Sequence, residues 1–111
     1  MEMTVGLEMD AAVARAIGWH EVAVPGKSIY WTRGSEVMIP LRCYSQTDTG
    51  AFDALDAVLA KHSEWFFSLQ WDDDNAWHAM FWHAPAYLSA TCPTRAEAIC
   101  RCILALAEMR P

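Results

Sequence analysis

Basic residues are scarce in this sequence. Eight Lys and Arg stand against fourteen Asp and Glu, giving a net charge of −6. A chain that grips a nucleic-acid backbone needs a basic stripe, so direct backbone binding is not expected. The glycines are scattered and frame no phosphate loop. Cys43, Cys92, Cys100 and Cys102 lack zinc spacing, and no histidine falls in an H-x-x-x-H pattern. Cys100 and Cys102 sit about 200° apart on a helix and point to opposite sides. A disulfide framework is therefore not expected, and free thiols suit a reducing cytoplasm. Met1-Glu2-Met3-Thr4 lacks the basic start and long apolar run of a secretory leader. The apolar run Ile99 to Met109 is too short and too charged to span a membrane. There are no repeats, low-complexity tracts or linkers, and the expectation is a single domain over residues 1–111.

Catalytic constellations are missing as well. Cys43 has no histidine near it in sequence and no nucleophile elbow around it. Asp53 and Asp56 lie one helical turn apart, and solvation of a helix surface explains them. His78 and His83 have opposite parity in one strand and cannot share a metal ion. Asp72-Asp73-Asp74-Asn75 lacks the glycine and distal glutamate of a calcium loop and reads as a solvated hairpin tip. We therefore expect no enzyme activity, no metal and no cofactor.

What is present is aromatic. The chain is 54% hydrophobic and contains six tryptophans. Glu64–Trp71 and Ala76–His83 carry aromatics at period two around the acidic break. That pattern predicts a hairpin over 64–83, with a third strand over 86–91 after Ala84-Pro85. Pairing across Asp72–Asn75 sets Trp71 opposite Ala76, Phe67 opposite Met80 and Trp65 opposite Trp82. One face then carries Trp65, Phe67, Leu69, Trp71, Met80, Trp82 and Tyr87. A thinner apolar face carries Phe66, Trp77, Ala79, Phe81, Leu88 and Ala90.

Three amphipathic helices surround this sheet in sequence. The first runs over about 7–17, with Thr4 as cap, Met9, Val13, Ala16 and Ile17 inward, and Gly18 as stop. The second covers about 50–62, capped by Asp48 or Thr49, with Phe52, Leu55, Val58, Leu59 and His62 inward. The third covers about 94–109 and opens on the capping box Thr94-Arg95-Ala96-Glu97, with an i,i+4 pair Glu97–Arg101. Residues 20–43 read as irregular, with turns at Pro25-Gly26-Lys27 and Arg33-Gly34-Ser35. Short extended pieces are expected at 28–31 and 37–39. A sheet apolar on both faces needs cover on both. The expected fold is α+β, a three-layer α/β/α sandwich with a small antiparallel sheet, the thinner face left exposed or buried in a homodimer.

The order from Ala51 to Met109 matches a double-stranded RNA-binding domain. The basic residues that module needs at its last helix are replaced by Thr94, Arg95 and Glu97. Other motifs point elsewhere. Ala16-Ile17-Gly18-Trp19 ends the first helix, Tyr44-Ser45 precedes Asp48 and Ala51, Trp77 to Phe81 spells Trp-x-x-x-Phe, and the last helix carries Ala98-Ile99-Cys100. In these pieces the sequence resembles the phage α/β/α-sandwich (ABA sandwich) domain family of small phage and prophage proteins. The resemblance implies the sandwich fold and a phage origin, and carries no catalytic residues.

Function follows as an expectation. A small acidic cytoplasmic phage protein suits an inhibitor of a bacterial defence system, such as an anti-CRISPR protein. It would block a basic nucleic-acid-binding surface on a host protein or ribonucleoprotein complex. The candidate contact residues are Asp72, Asp73, Asp74, Trp77, Trp31 and Tyr30. The alternative is a sponge for a nucleotide immune signal, with Arg33 and Arg42 on phosphate and Tyr44 stacking the base.

Overall fold

A computed structural model describes residues 4–23, 25–26, 29–33, 38–72 and 75–109. Asp73, Asp74 and the turn residues Lys27, Gly34 and Ser35 lie outside the described residues. The elements are α1 (Leu7–Ala16), β1 (His20–Val22), β2 (Tyr30–Thr32), β3 (Met38–Ile39), α2 (Asp48–Lys61), β4 (Phe66–Asp72), β5 (Ala76–His83), β6 (Ala86–Cys92) and α3 (Arg95–Glu108). They form two antiparallel sheets, ordered β1-β2-β3 and β4-β5-β6. Three helices with small antiparallel sheets make a mixed α+β globule, as expected of the sandwich. The stretch 20–43 holds the smaller sheet: β2 and β3 fall at the extended pieces expected near 28–31 and 37–39, and β1 was not expected.

The third helix is central. It packs on β5 and β6 and against both other helices. Ile99, Cys100, Cys102 and Ile103 are all buried, so both sides of the helix are covered. Cys102 Sγ donates toward the Leu88 carbonyl on the sheet side (3.6 Å), and Cys100 Sγ toward the Tyr44 carbonyl on the other (3.2 Å). The two thiols therefore point apart, as their spacing requires. Thr94 caps the helix by accepting from the Glu97 N–H (3.1 Å), and the Glu97 carboxylate accepts from Arg101 Nε (2.8 Å).

The strand register differs from the sequence expectation by one residue. The pairs are Phe66↔Trp82, Phe67↔Phe81, Leu69↔Ala79, Trp71↔Trp77 and Asp72↔Ala76. Asp72, expected in the hairpin tip, therefore belongs to the ladder. Asn75 takes a left-handed conformation (φ 59°), and its N–H donates to the Asp72 carbonyl (3.2 Å). Asparagine tolerates that conformation. A one-residue slip moves a strand's side chains to the other face. The face against the helices is therefore Phe67, Leu69, Trp77, Ala79, Phe81, Leu88, Ala90 and Cys92. The expected thinner face around Trp77 and Phe81 is in fact the core side, with Phe81 and Ala79 fully buried. The β5–β6 register is as expected, with Phe81↔Leu88 and Trp82↔Tyr87.

Two helix caps also differ. No side chain caps α1, whose N-cap is Gly6 and not Thr4. Its C-terminus closes at Gly18 (φ 102°): Gly18 N–H donates to Arg15 (3.1 Å) and Trp19 N–H to Ala14 (2.9 Å). This Schellman pairing needs a residue that accepts positive φ. Ala14 is buried where Ala16 was expected. The cap of α2 is Thr47, whose hydroxyl accepts from Gly50 N–H (3.0 Å). Its inward side is Gly50, Ala51, Ala54, Leu55 and Val58, and Phe52 is exposed. Small residues on that side let α2 approach α3 closely.

The segment 42–47 is held by a buried charge. Asp10 is fully buried on α1. Its carboxylate accepts from Ser45 N–H (2.6 Å), Ser45 Oγ (2.6 Å) and Gln46 Nε2 (2.7 Å). Ser45 Oγ in turn accepts from Gly6 N–H (3.1 Å), which ties the residue preceding α1 to the same segment. Hydrogen bonds to a charged acceptor are the strong kind, and a buried carboxylate without them is costly.

Asp10→Ala removes the acceptor and leaves the Ser45 N–H buried without it. We expect a loss of about 3 kcal/mol in denaturant unfolding at unchanged m, with Asp10→Asn losing about half. Unchanged stability of Asp10→Ala is the result that contradicts this. Gly50 provides a second check. A Cβ there would sit 2.5 Å from the Cys43 carbonyl oxygen. Gly50→Ala should therefore destabilise by about 2 kcal/mol or more despite its better helix propensity.

Candidate functional site

Two surfaces stand out. The first is the open face of the larger sheet. By register it carries Phe66, Ser68, Gln70 and Asp72 from β4, Ala76, His78, Met80 and Trp82 from β5, and Tyr87, Ser89 and Thr91 from β6. Phe66 is 62% exposed and Tyr87 66%. Phe66 stacks on Trp82 with centroids 5.6 Å apart. Among the described residues, Asp72, at one end, is the only Asp, Glu, Lys or Arg on this face. His78 is satisfied there by Thr91 Oγ1 (2.8 Å) and is not a core residue. Depletion of charge together with aromatic enrichment is how a protein contact surface differs from ordinary surface.

The second is a cleft of about 430 Å³ between the end of α1, α2 and the segments around Arg33 and Tyr44. Asp53 and Asp56 reach it from α2, and Arg33 and Arg42 from the connecting segments. Ile17 and Tyr44, both buried, form its floor. The Arg33 guanidinium lies over the Trp19 ring, 5.0 Å from its centroid. Arg42 Nη1 is 3.7 Å from Asp53 Oδ2, a long contact between exposed groups. Burial raises the Tyr44 pKa, and the nearby Arg42 and Arg33 charges work against that rise. The hydroxyl therefore stays protonated at neutral pH and remains a donor.

The structure sorts the sequence candidates. Arg33, Arg42 and Tyr44 line this one cleft together with Asp53 and Asp56 of α2. The proposed partner-binding residues do not converge in the same way. Trp31 is only 5% exposed, packed in the core with the Arg15 guanidinium over its ring, and presents no surface to a partner. Tyr30 is half-buried in β2. Trp77 is half-buried on the helix side, with the Arg95 guanidinium 5.2 Å over it. Its neighbour Trp71 is 55% exposed and meets it edge-on at 5.1 Å. Asp72 is half-buried at the end of β4, and Asp73 and Asp74 lie outside the described residues.

Sequence reasoning missed Trp19, Asp53 and Asp56 as cleft residues, and Trp82 and Tyr87 as surface. The right register is the signal that finds the last two. Among the described residues no three His, Cys, Asp or Glu converge as metal ligands, and no helix is long and apolar enough to cross a membrane.

None of the four cysteines is in a disulfide, and only Cys43 is exposed. Burial pushes the Cys100 thiol up to about 12 and the Cys102 thiol up to about 11, with the Asp10 charge adding to the first. In the unfolded chain both titrate at about 8.5. Above that pH the unfolded state sheds protons that the folded state keeps, so stability falls as pH rises toward the folded values. We expect the thermal midpoint to drop between about pH 9 and 11, and less so in a Cys100→Ala/Cys102→Ala variant. A thiol reagent at mildly alkaline pH should modify Cys43 quickly and the three buried cysteines only after denaturation. Rapid modification of all four in the native protein would contradict the burial.

No family model matches the chain, and no curated relative does either. Among solved structures, it is similar to a phage protein from Bacillus cereus ATCC 14579, solved at 2.0 Å, with TM-score 0.68 and 14% identity. The match covers 95% of this chain and 97% of that one. At this identity the likeness shows the fold.

Proposed function

We propose that this chain is a non-enzymatic binding protein of phage or prophage origin. It acts in the host cytoplasm by docking on a host protein or ribonucleoprotein complex, as an inhibitor of a defence system would. The fold likeness to a phage protein supports the origin. The observation that carries the binding role is the open, nearly uncharged sheet face with Phe66, Trp82 and Tyr87 on it.

A monomer gains nothing from leaving two large aromatic rings more than half exposed on one rigid surface. Strands hold these rings in fixed positions, so little side-chain entropy is lost when a partner covers them. The excess of carboxylates elsewhere steers the chain toward a basic target and speeds encounter, while the aromatic face supplies affinity. Asp72 at the end of the face is where the two meet. This reading takes the contact away from Trp31 and Tyr30 in the smaller sheet, and from Trp77 to the opposite side of the larger one.

The test is inhibition and direct binding measured against purified host defence effector complexes. The wild-type chain is expected to bind one of them. Phe66→Ser/Tyr87→Ser should weaken that binding about 30-fold or more, whereas Phe52→Ser, on the exposed side of α2, should leave it unchanged. Equal binding by the double variant, or no binding by the wild type, overturns the reading. Melting curves within about a few degrees of wild type establish that the variants are folded.

A further inference from the structure

The cleft holds two guanidiniums, Arg33 and Arg42, and two carboxylates, Asp53 and Asp56, over a floor of Ile17 and Tyr44. We infer that it is a binding site for a small zwitterion of the amino-acid type. The ammonium group would meet the carboxylates, the carboxylate would meet the guanidiniums, and an apolar side chain would lie on the floor. This site is separate from the open sheet face and does not rest on the docking role proposed for it.

Charge decides the ligand class. Among the described residues, two cations and two anions leave the cleft formally neutral. A nucleotide phosphate would gain from Arg33 and Arg42 but meet Asp53 and Asp56 beside them, on a protein of net charge −6. An uncharged molecule would desolvate four charges and compensate none. A zwitterion offers each set its opposite. The groups are also available to it. Among the described residues, Asp56 has no ion-pair partner, and Arg33 has only the Trp19 ring. The single cross-pair, Arg42–Asp53, is long at 3.7 Å and half exposed, so it opens at little cost.

Position and size agree with this assignment. Stacking on Trp19 holds the Arg33 guanidinium at one place instead of leaving it to sweep through solvent. Asp53 and Asp56 project from a capped helix, one turn apart. The volume of about 430 Å³ lies in the small-ligand range.

The test is amide chemical-shift titration of the full-length protein with free L-leucine, L-phenylalanine and L-tryptophan. Each is paired with its decarboxylated amine and its deaminated acid, and adenosine monophosphate serves as the anionic comparison. Saturable shifts at Gly18, Trp19, Tyr44 and Ala57 are expected from an amino acid. The matched amine and acid should each bind about tenfold or more weakly. Asp56→Asn and Arg33→Gln, both exposed positions, should weaken the amino acid by a similar factor. The assignment fails if the acid or the nucleotide binds as well as the amino acid. It fails also if Asp56→Asn binds equally well, or if no compound gives saturable shifts. The unmodified analogues decide the question even if a variant misfolds.

Discussion

The Asp10 carboxylate sits inside the protein with no exposed surface and takes its hydrogen bonds from Ser45 and Gln46. A charge so placed is tolerable only while those donors stay in position, so it locks the 42–47 segment to α1. Much else depends on that lock. It sets Thr47 where its hydroxyl caps α2, and it brings the Cys43 carbonyl against Gly50. It places the Tyr44 carbonyl over Cys100 on the central helix. Tyr44 and Arg42, which face the cleft, are positioned by the same segment. The cleft is therefore a consequence of how one buried carboxylate is satisfied.

Helices were legible because their signals are local. Thr94 through Glu97 form a cap whichever sheet the helix packs on, and Gly18 stops α1 whatever follows. The register of the large hairpin was not legible, for a definite reason. Aromatic and aliphatic residues occupy both parities of β4 and β5, so hydrophobic alternation does not choose between registers one residue apart. The turn chooses. Asn75 accepts a left-handed conformation, and Asp72 lies in the strand. That one step exchanged the covered and open faces of β5 and β6 relative to β4. It turned Trp77 from a surface candidate into a core-side residue and put Trp82 and Tyr87 on the open face beside Phe66.

Asp10 itself was hidden in plain sight. Met9, Val13 and Ile17 mark the inward side of α1, and Asp10 adjoins Met9 on that side. An acidic residue in the first turn of a helix has an easy explanation in the helix dipole, and that explanation conceals a structural one. Its donors lie 35 and 36 residues later, beyond any local pattern. The cleft was half legible. Arg33, Arg42 and Tyr44 suit a ligand by their chemistry, and the fold sets them against the end of α1 and one side of α2. Asp53 and Asp56 were set aside as helix solvation, yet they make the cleft neutral and change the class of molecule it suits.

The tryptophans show how a small acidic chain divides its aromatic residues. Trp31 is buried, and Trp19, Trp65 and Trp77 pack against the core. A chain of 111 residues has a high ratio of surface to volume, and large rings are an efficient way to fill such a core. Three of these rings are associated with guanidiniums: Arg15 over Trp31, Arg33 over Trp19 and Arg95 over Trp77. Arg15 and Arg95 also pair with the surface carboxylates of Glu21 and Asp48, so each serves a ring and a carboxylate at once. Eight basic residues against fourteen acidic ones still leave the outer surface acidic. On such a surface an aromatic face with a single carboxylate is the place where another molecule can approach with least electrostatic penalty, unless that molecule is itself basic. In that case the whole surround favours it, and both routes lead a partner to the open face of the sheet.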